Sequence, residues 1–123
     1  MFQGLRSGIY QVTDLEKAKA WYSVLLGKQP YFDQPFYVGY NVGGFELGLH
    51  PSTENSSKGG TGGVAYWSVD NADAAFKRLL KLGATEHSAV QDVGEGIRVA
   101  TVADPFGNLI GIIENPHFKI EGA

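Results

Sequence analysis

The chain is 123 residues long with a formal charge of -3, enough for a hydrophobic core and without general attraction to nucleic acid or an anionic membrane. It contains no cysteine, which excludes disulfides, thiolate nucleophiles and cysteine-based zinc sites together. No apolar run is long enough to span a bilayer and no charged-then-apolar signal segment opens the chain, so a cytoplasmic location is expected.

Leu5 to Val12 is rich in β-branched and aromatic residues and reads as a strand. Asp14 to Gly27 reads as an amphipathic helix, with Asp14 as N-cap, Gly27 as the left-handed C-terminal residue, and Leu15, Ala18, Tyr22 and Leu25 at helical spacing. Gln29 to Pro35 is a short extended piece whose prolines favour a sheet edge. Phe36 to Val42 and Phe45 to His50 read as a hairpin turning at Gly43-Gly44. In its second strand Phe45, Leu47 and Leu49 alternate with Glu46, Gly48 and His50, so one face is buried and the other meets something different. Residues 51–63 form a polar, glycine-rich stretch that reads as a flexible linker.

The pattern then restarts. Val64 to Val69 reads as a strand, and Asp70 to Gly83 as a second helix opened by Asp70, with Ala72, Ala75, Leu79 and Leu82 on its apolar side. Asp14/Asp70, Ala18/Ala74, Leu26/Leu82 and Gly27/Gly83 are identical at a constant offset of 56, which points to an internal duplication. Ala84 to Val90, Ile97 to Ala103 and Leu109 to Ile113 supply three more strands, with turns at 92–96 and at Asp104-Pro-Phe-Gly107. Each half therefore reads strand, helix, then about three strands.

Asp14-Leu-Glu-Lys-Ala, Trp21-Tyr22, Leu26-Gly27, Gly43-Gly-Phe-Glu-Leu47, Val64-Ala-Tyr-Trp-Ser-Val-Asp-Asn71 and Asp104-Pro-Phe-Gly-Asn108 together resemble the vicinal oxygen chelate superfamily, over roughly residues 5–115. That superfamily includes glyoxalase I, extradiol dioxygenases, fosfomycin-modifying enzymes, methylmalonyl-CoA epimerase and bleomycin-resistance binding proteins. The resemblance implies an α+β fold within a single domain, 1–123. Two βαβββ modules, about 5–50 and 64–115, would curl mixed sheets around a cavity with helices outside. It does not fix the activity, because the fold hosts several chemistries.

Metal-using members carry up to four ligands at places that correspond here to Ser7, Glu46, Val64 and Gly111. A hydroxyl, an isopropyl group and a hydrogen cannot replace three metal ligands, and one carboxylate does not hold a divalent ion against water. No metal and no cofactor are therefore expected. His50 shares a strand face with Glu46 but lies about 13 Å from it by strand rise. His87 and His117 fall in turn or tail segments, where a solvated or locally bonded histidine is the plainer reading.

Anchored on those positions, the alternation turns Ser7, Ile9, Gln11, Glu46, His50, Val64, Tyr66, Ser68 and Gly111 toward the cavity as ligand-binding candidates. Phe45, Leu47 and Leu49, and Ala65, Trp67 and Val69, are expected to pack under the helices. Tyr31, Phe32, Phe36, Tyr37 and Tyr40 form either a stacking wall or ordinary strand core. Glu46 is the candidate catalytic group. Walled by apolar residues it would have a raised pKa suited to proton transfer; otherwise it is the counter-ion of a cationic ligand, or a carboxylate satisfied by a neighbour. Arg98 is either its partner, the partner of an anionic ligand, or simply exposed. The first functional reading is a metal-free binding protein that sequesters a small organic molecule, aromatic or cationic, in the cavity between modules. The alternative is an enzyme of the same superfamily that uses Glu46 as base or residual metal ligand. A symmetric homodimer is expected, as closed twofold association is the commonest homo-oligomer.

Overall fold

The computed structural model describes residues 1–3, 5–52 and 64–117. The linker expected at 51–63 lies outside the described residues apart from Pro51 and Ser52. The chain divides into two compact units, and each is one βαβββ module with a helix packed on a four-stranded mixed sheet.

The first unit runs β1 (Ser7–Val12), α1 (Leu15–Leu26), β2 (Phe32–Gln34), β3 (Tyr37–Val42) and β4 (Phe45–Pro51). Its strand order is β1-β4-β3-β2, with β1 parallel to β4 and the other pairs antiparallel. Asp14 caps α1 as the sequence implies, accepting from the Lys17 N–H at 3.1 Å, and Gly27 ends it at φ 67°. The buried face of α1, Ala18 and Tyr22, belongs to one core with Val12, Val38, Tyr40, Leu47 and Leu49. Full burial of such a side chain is worth about 1.5–3 kcal/mol. Tyr40 belongs to this core and not to a ligand wall; its hydroxyl donates to the Lys19 carbonyl at 2.9 Å and lies 2.9 Å from Ser23 Oγ. Phe45 is the exception to the alternation. At the hairpin end of β4 it is 38% exposed.

The second unit runs β5 (Tyr66–Ser68), α2 (Ala72–Lys81), β6 (Thr85–Asp92), β7 (Arg98–Ala103) and β8 (Leu109–Glu114), in the order β5-β8-β7-β6. Its helix is capped by Asn71, not by Asp70. Asn71 has the extended backbone of a cap, and its Oδ1 accepts from the Ala74 N–H at 3.0 Å. Asp70 stands one residue too early to reach that amide. A second orphan amide, of Ala72, donates to Glu114 Oε1 at 2.8 Å. At the other end Gly83, at φ 106°, lets the Ala84 N–H reach the Leu79 carbonyl at 3.0 Å. β5 begins at Tyr66, so Val64 and Ala65 precede the strand, and Ala65 is exposed where packing under a helix was expected. Ala100, Val102, Ile110, Ile112 and Leu79 form the core of this unit. Arg98 pairs with Asp73 at the start of α2, through a second contact at 3.4 Å as well as a shorter one. This corrects the option of an Arg98–Glu46 pair.

Candidate functional site

Strand register sets the open face of the first sheet in rows. Ser7, Glu46 and Asn41 are partners across β1, β4 and β3. Ile9, Gly48, Gly39 and Phe32 make the next row, followed by Gln11 with His50. Alternation had assigned Ser7, Ile9, Gln11, Glu46 and His50 to one face, and the register places them there. Gln11 Oε1 lies 3.1 Å from His50 Nδ1, so His50 is bound within its own row.

The two glycines in the second row decide the chemistry. A Cβ on Gly48 would lie 2.6 Å from Tyr37 Cζ, and one on Gly39 would lie 3.2 Å from the Tyr37 ring and 3.3 Å from the Tyr31 ring. The absent side chains let both rings lie against the sheet. From there the Tyr31 hydroxyl donates to Glu46 Oε1 and the Tyr37 hydroxyl to Oε2. The segment carrying Tyr31 is tied down by its own N–H on the Gly39 carbonyl at 3.0 Å and by the Lys19–Asp33 ion pair at 3.1 Å.

Of the readings open for Glu46, this geometry matches the carboxylate satisfied by neighbouring groups and not the one walled by apolar residues. Its walls are phenols and not aliphatic groups. The hydrogen bonds from Tyr31 and then Tyr37 hold its carboxyl below the ordinary glutamate value, against a smaller opposing effect of burial. Burial, then the bond to Glu46, pushes the Tyr37 phenol up to about 12. Tyr31 moves in the same direction, chiefly through its bond to Glu46. Glu46 is thus a stabilised anion and a weak base.

Arg6, Ser7, Tyr31, Asn41, Gly44, Phe45 and Glu46 line an open depression of about 180 Å³ at the hairpin end of this sheet. For Tyr31 and Tyr37 the sequence leaves open a stacking wall or strand core, and it does not single out Arg6 and Asn41. The signal for the tyrosines was present in Gly39 and Gly48, each interior to a strand. Phe32 and Phe36 gather with the two tyrosines at β2, where the Phe32 ring lies 6.0–6.4 Å from those of Phe36, Tyr37 and Tyr31.

The second sheet carries a different open face. Tyr66 is the register partner of Gly111, and Thr101 partners Gly111 from β7. A Cβ on Gly111 would meet the Tyr66 ring at 2.7 Å and the Ala65 carbonyl oxygen at 2.9 Å, so the ring covers the place where metal-using relatives of the resemblance carry a glutamate. Ser68 is exposed one pleat further along β5, and Val64 is half-buried ahead of the strand. His87 stands within β6 and not in a turn, its Nδ1 2.9 Å from Thr101 Oγ1, and His117 Nε2 lies 2.7 Å from the Glu95 carbonyl.

Residues 6–112 match the family described as the Glyoxalase/Bleomycin resistance protein/Dioxygenase superfamily. The chain belongs to this superfamily. An uncharacterised protein of Mycobacterium bovis is 34% identical over 100 residues, covering 73% of this chain and 66% of that one. A Mycobacterium tuberculosis counterpart matches equally over 59% of its length, so the chain spans about three-fifths to two-thirds of these relatives. Among solved structures, a glyoxalase-related enzyme from Fulvimarina pelagi superposes with a TM-score of 0.78 at 22% identity, covering 98% of this chain and 94% of its own. A lactoylglutathione lyase from Agrobacterium tumefaciens gives 0.74 at 19% identity, covering 98% and 100%. At such identities the likeness is one of fold.

The residues at the superfamily's metal positions do not fit a divalent ion. The first unit offers the Ser7 hydroxyl and a Glu46 whose two oxygens already accept phenolic hydrogens. The second offers an isopropyl group at Val64 and no side chain at Gly111. Among the described residues no three His, Asp or Glu side chains come together in a metal-holding group. Among the same residues no helix is long and apolar enough to cross a membrane.

Proposed function

We propose that this superfamily member is a metal-independent binding protein that sequesters a small organic cation against the Tyr31–Glu46–Tyr37 face of its first module. One observation carries the reading: both oxygens of the Glu46 carboxylate accept from phenols, which favours its ionised form. A fixed anion bordered by aromatic rings attracts a cationic group through charge and through the ring faces together. The same hydrogen bonds weigh against the alternative in which Glu46 is a general base, because they lower its proton affinity. The depression of about 180 Å³ is below the roughly 300–1,000 Å³ of drug-sized sites, which favours a small ligand. Homodimer formation and a cytoplasmic setting belong to the same proposal, the first being checked by light scattering.

The test is a thermal-shift series with divalent Zn, Ni, Mn and Fe in one arm and small aromatic amines in the other. The amines are expected to raise the melting temperature by linkage, with Glu46→Gln abolishing the rise, and the metals to leave it unchanged. A large metal-dependent rise that Glu46→Ala removes would overturn the proposal.

A further inference from the structure

The direction of the two short contacts on Glu46 defines more than its charge. Each tyrosine hydroxyl has one hydrogen, and each spends it on Glu46. A carboxylate offers about four lone-pair sites, so about two remain, joined by the unused lone pairs of two phenolic oxygens. Around Glu46 the clamp therefore presents acceptors and no donor of its own. Asn41, the cross-strand partner of Glu46, spends its Oδ1 on the Gly44 N–H at 3.0 Å, so its amide N–H groups and the Ser7 hydroxyl are the neutral donors lining the same depression. Tyr31 is 64% exposed, so this cluster is open to a ligand. Arg6 lines the same depression from an exposed position, where solvent and salt screen its charge.

We infer that the Glu46 face selects cations rich in N–H donors (a primary ammonium, an amidinium or a guanidinium) over quaternary ammonium ions and over neutral molecules. The inference rests on the binding-protein reading and sharpens it. A ring cage alone accepts a quaternary ammonium well, whereas an array of acceptors gains nothing from a cation that has no hydrogen to give. The geometry here supplies the array: one phenolic oxygen sits on each carboxylate oxygen, which clusters four acceptor atoms. Three ammonium hydrogens or a guanidinium fork can satisfy several of them at once.

Four probes of similar size separate the possibilities: benzylamine, benzamidine, benzyltrimethylammonium and benzyl alcohol, titrated into the full chain by NMR. Wild type, Glu46→Gln and Tyr31→Phe are compared, with dispersed native-like NMR spectra at the titration temperature showing that the variants are folded. Benzylamine and benzamidine are expected to bind about tenfold or more tightly than benzyltrimethylammonium. Glu46→Gln should remove that gap. Tyr31→Phe, which keeps the charge and the ring, should weaken the first two probes and spare the quaternary one. If the quaternary probe binds as tightly as benzylamine, and Glu46→Gln weakens both, donor selection is wrong while the binding-protein reading stands. If benzyl alcohol binds as well as the cations and Glu46→Gln changes nothing, or if none of the four binds, the binding-protein reading falls and this inference with it.

Discussion

The two modules share one topology and one device, a glycine beneath a tyrosine ring, yet their open faces differ. In the first, Gly48 and Gly39 let Tyr37 and Tyr31 reach a carboxylate on the next row. In the second, Gly111 lets Tyr66 lie against the sheet, and its row partners are Tyr66 and Thr101, neither of them charged. Sheet architecture thus survives between the halves while chemistry does not. A strand position fixes which face a side chain occupies, but a carboxylate becomes useful only if its neighbours decide its protonation state.

The contrast is sharpest in the glycines. Gly111→Ala should have the larger effect on stability, about 1–3 kcal/mol, because one of the atoms it meets is the Ala65 carbonyl oxygen, and backbone cannot swing away. Gly48→Ala meets only the far end of Tyr37 in the three nearest contacts, so the ring can leave. It should therefore be milder in denaturant unfolding yet detach Tyr37 from Glu46. Equal losses, with the clamp intact in Gly48→Ala spectra, would erase the distinction. Comparable in size but read in binding, Glu46→Gln is expected to weaken a bound primary amine about tenfold or more, from the roughly 1.5–3 kcal/mol of a charge-assisted bond, as measured by calorimetry.

Tyr37→Phe should be smaller, about 0.5–1.5 kcal/mol, and should show a pH signature. The Tyr37 pKa is raised from 10.0 to about 12, so its contribution is fully present below pH 10 and lost as pH rises through about 12. The mutant should lack this alkaline loss in stability measured against pH. Arg98→Gln should change least. Arg98 and Asp73 are partly exposed side chains on the helix side of the second sheet, where salt screens the pair. Its melting temperature should differ little from wild type, and any difference should shrink in high salt.

Much of the fold was legible because its signals are local. Asp14 and Gly27 lie at the ends of the segment they bound, and the alternation around Glu46 needs only neighbouring residues. The second helix shows the limit: Asp70 and Asn71 both have cap chemistry, and only the position of Ala72 as the first helical residue selects Asn71. The row containing Ser7, Glu46 and Asn41 was half legible. Parity gave the face, but parity says nothing of a ring that crosses from another row. Tyr37 and Tyr31 come to Glu46 from 9 and 15 residues away in sequence, through space that exists because Gly39 and Gly48 have no side chains. The expectation of apolar walls therefore missed the phenols, while the alternative of a carboxylate satisfied by a neighbour matches them.

The direction of the Glu46 pKa shift is the most direct test of the account. NMR titration of the Glu46 side-chain carboxyl carbon, in wild type and in Tyr37→Phe, reads it without any ligand. The carboxyl is depressed from its ordinary 4.5, so the stability it contributes should be present above that value and lost as pH falls through the lower folded pKa. The account predicts a wild-type midpoint below 4.5 that rises when the Tyr37 hydroxyl is removed. A midpoint at or above the ordinary value, unmoved by Tyr37→Phe, would contradict the tyrosine-held anion and restore the general-base reading of Glu46.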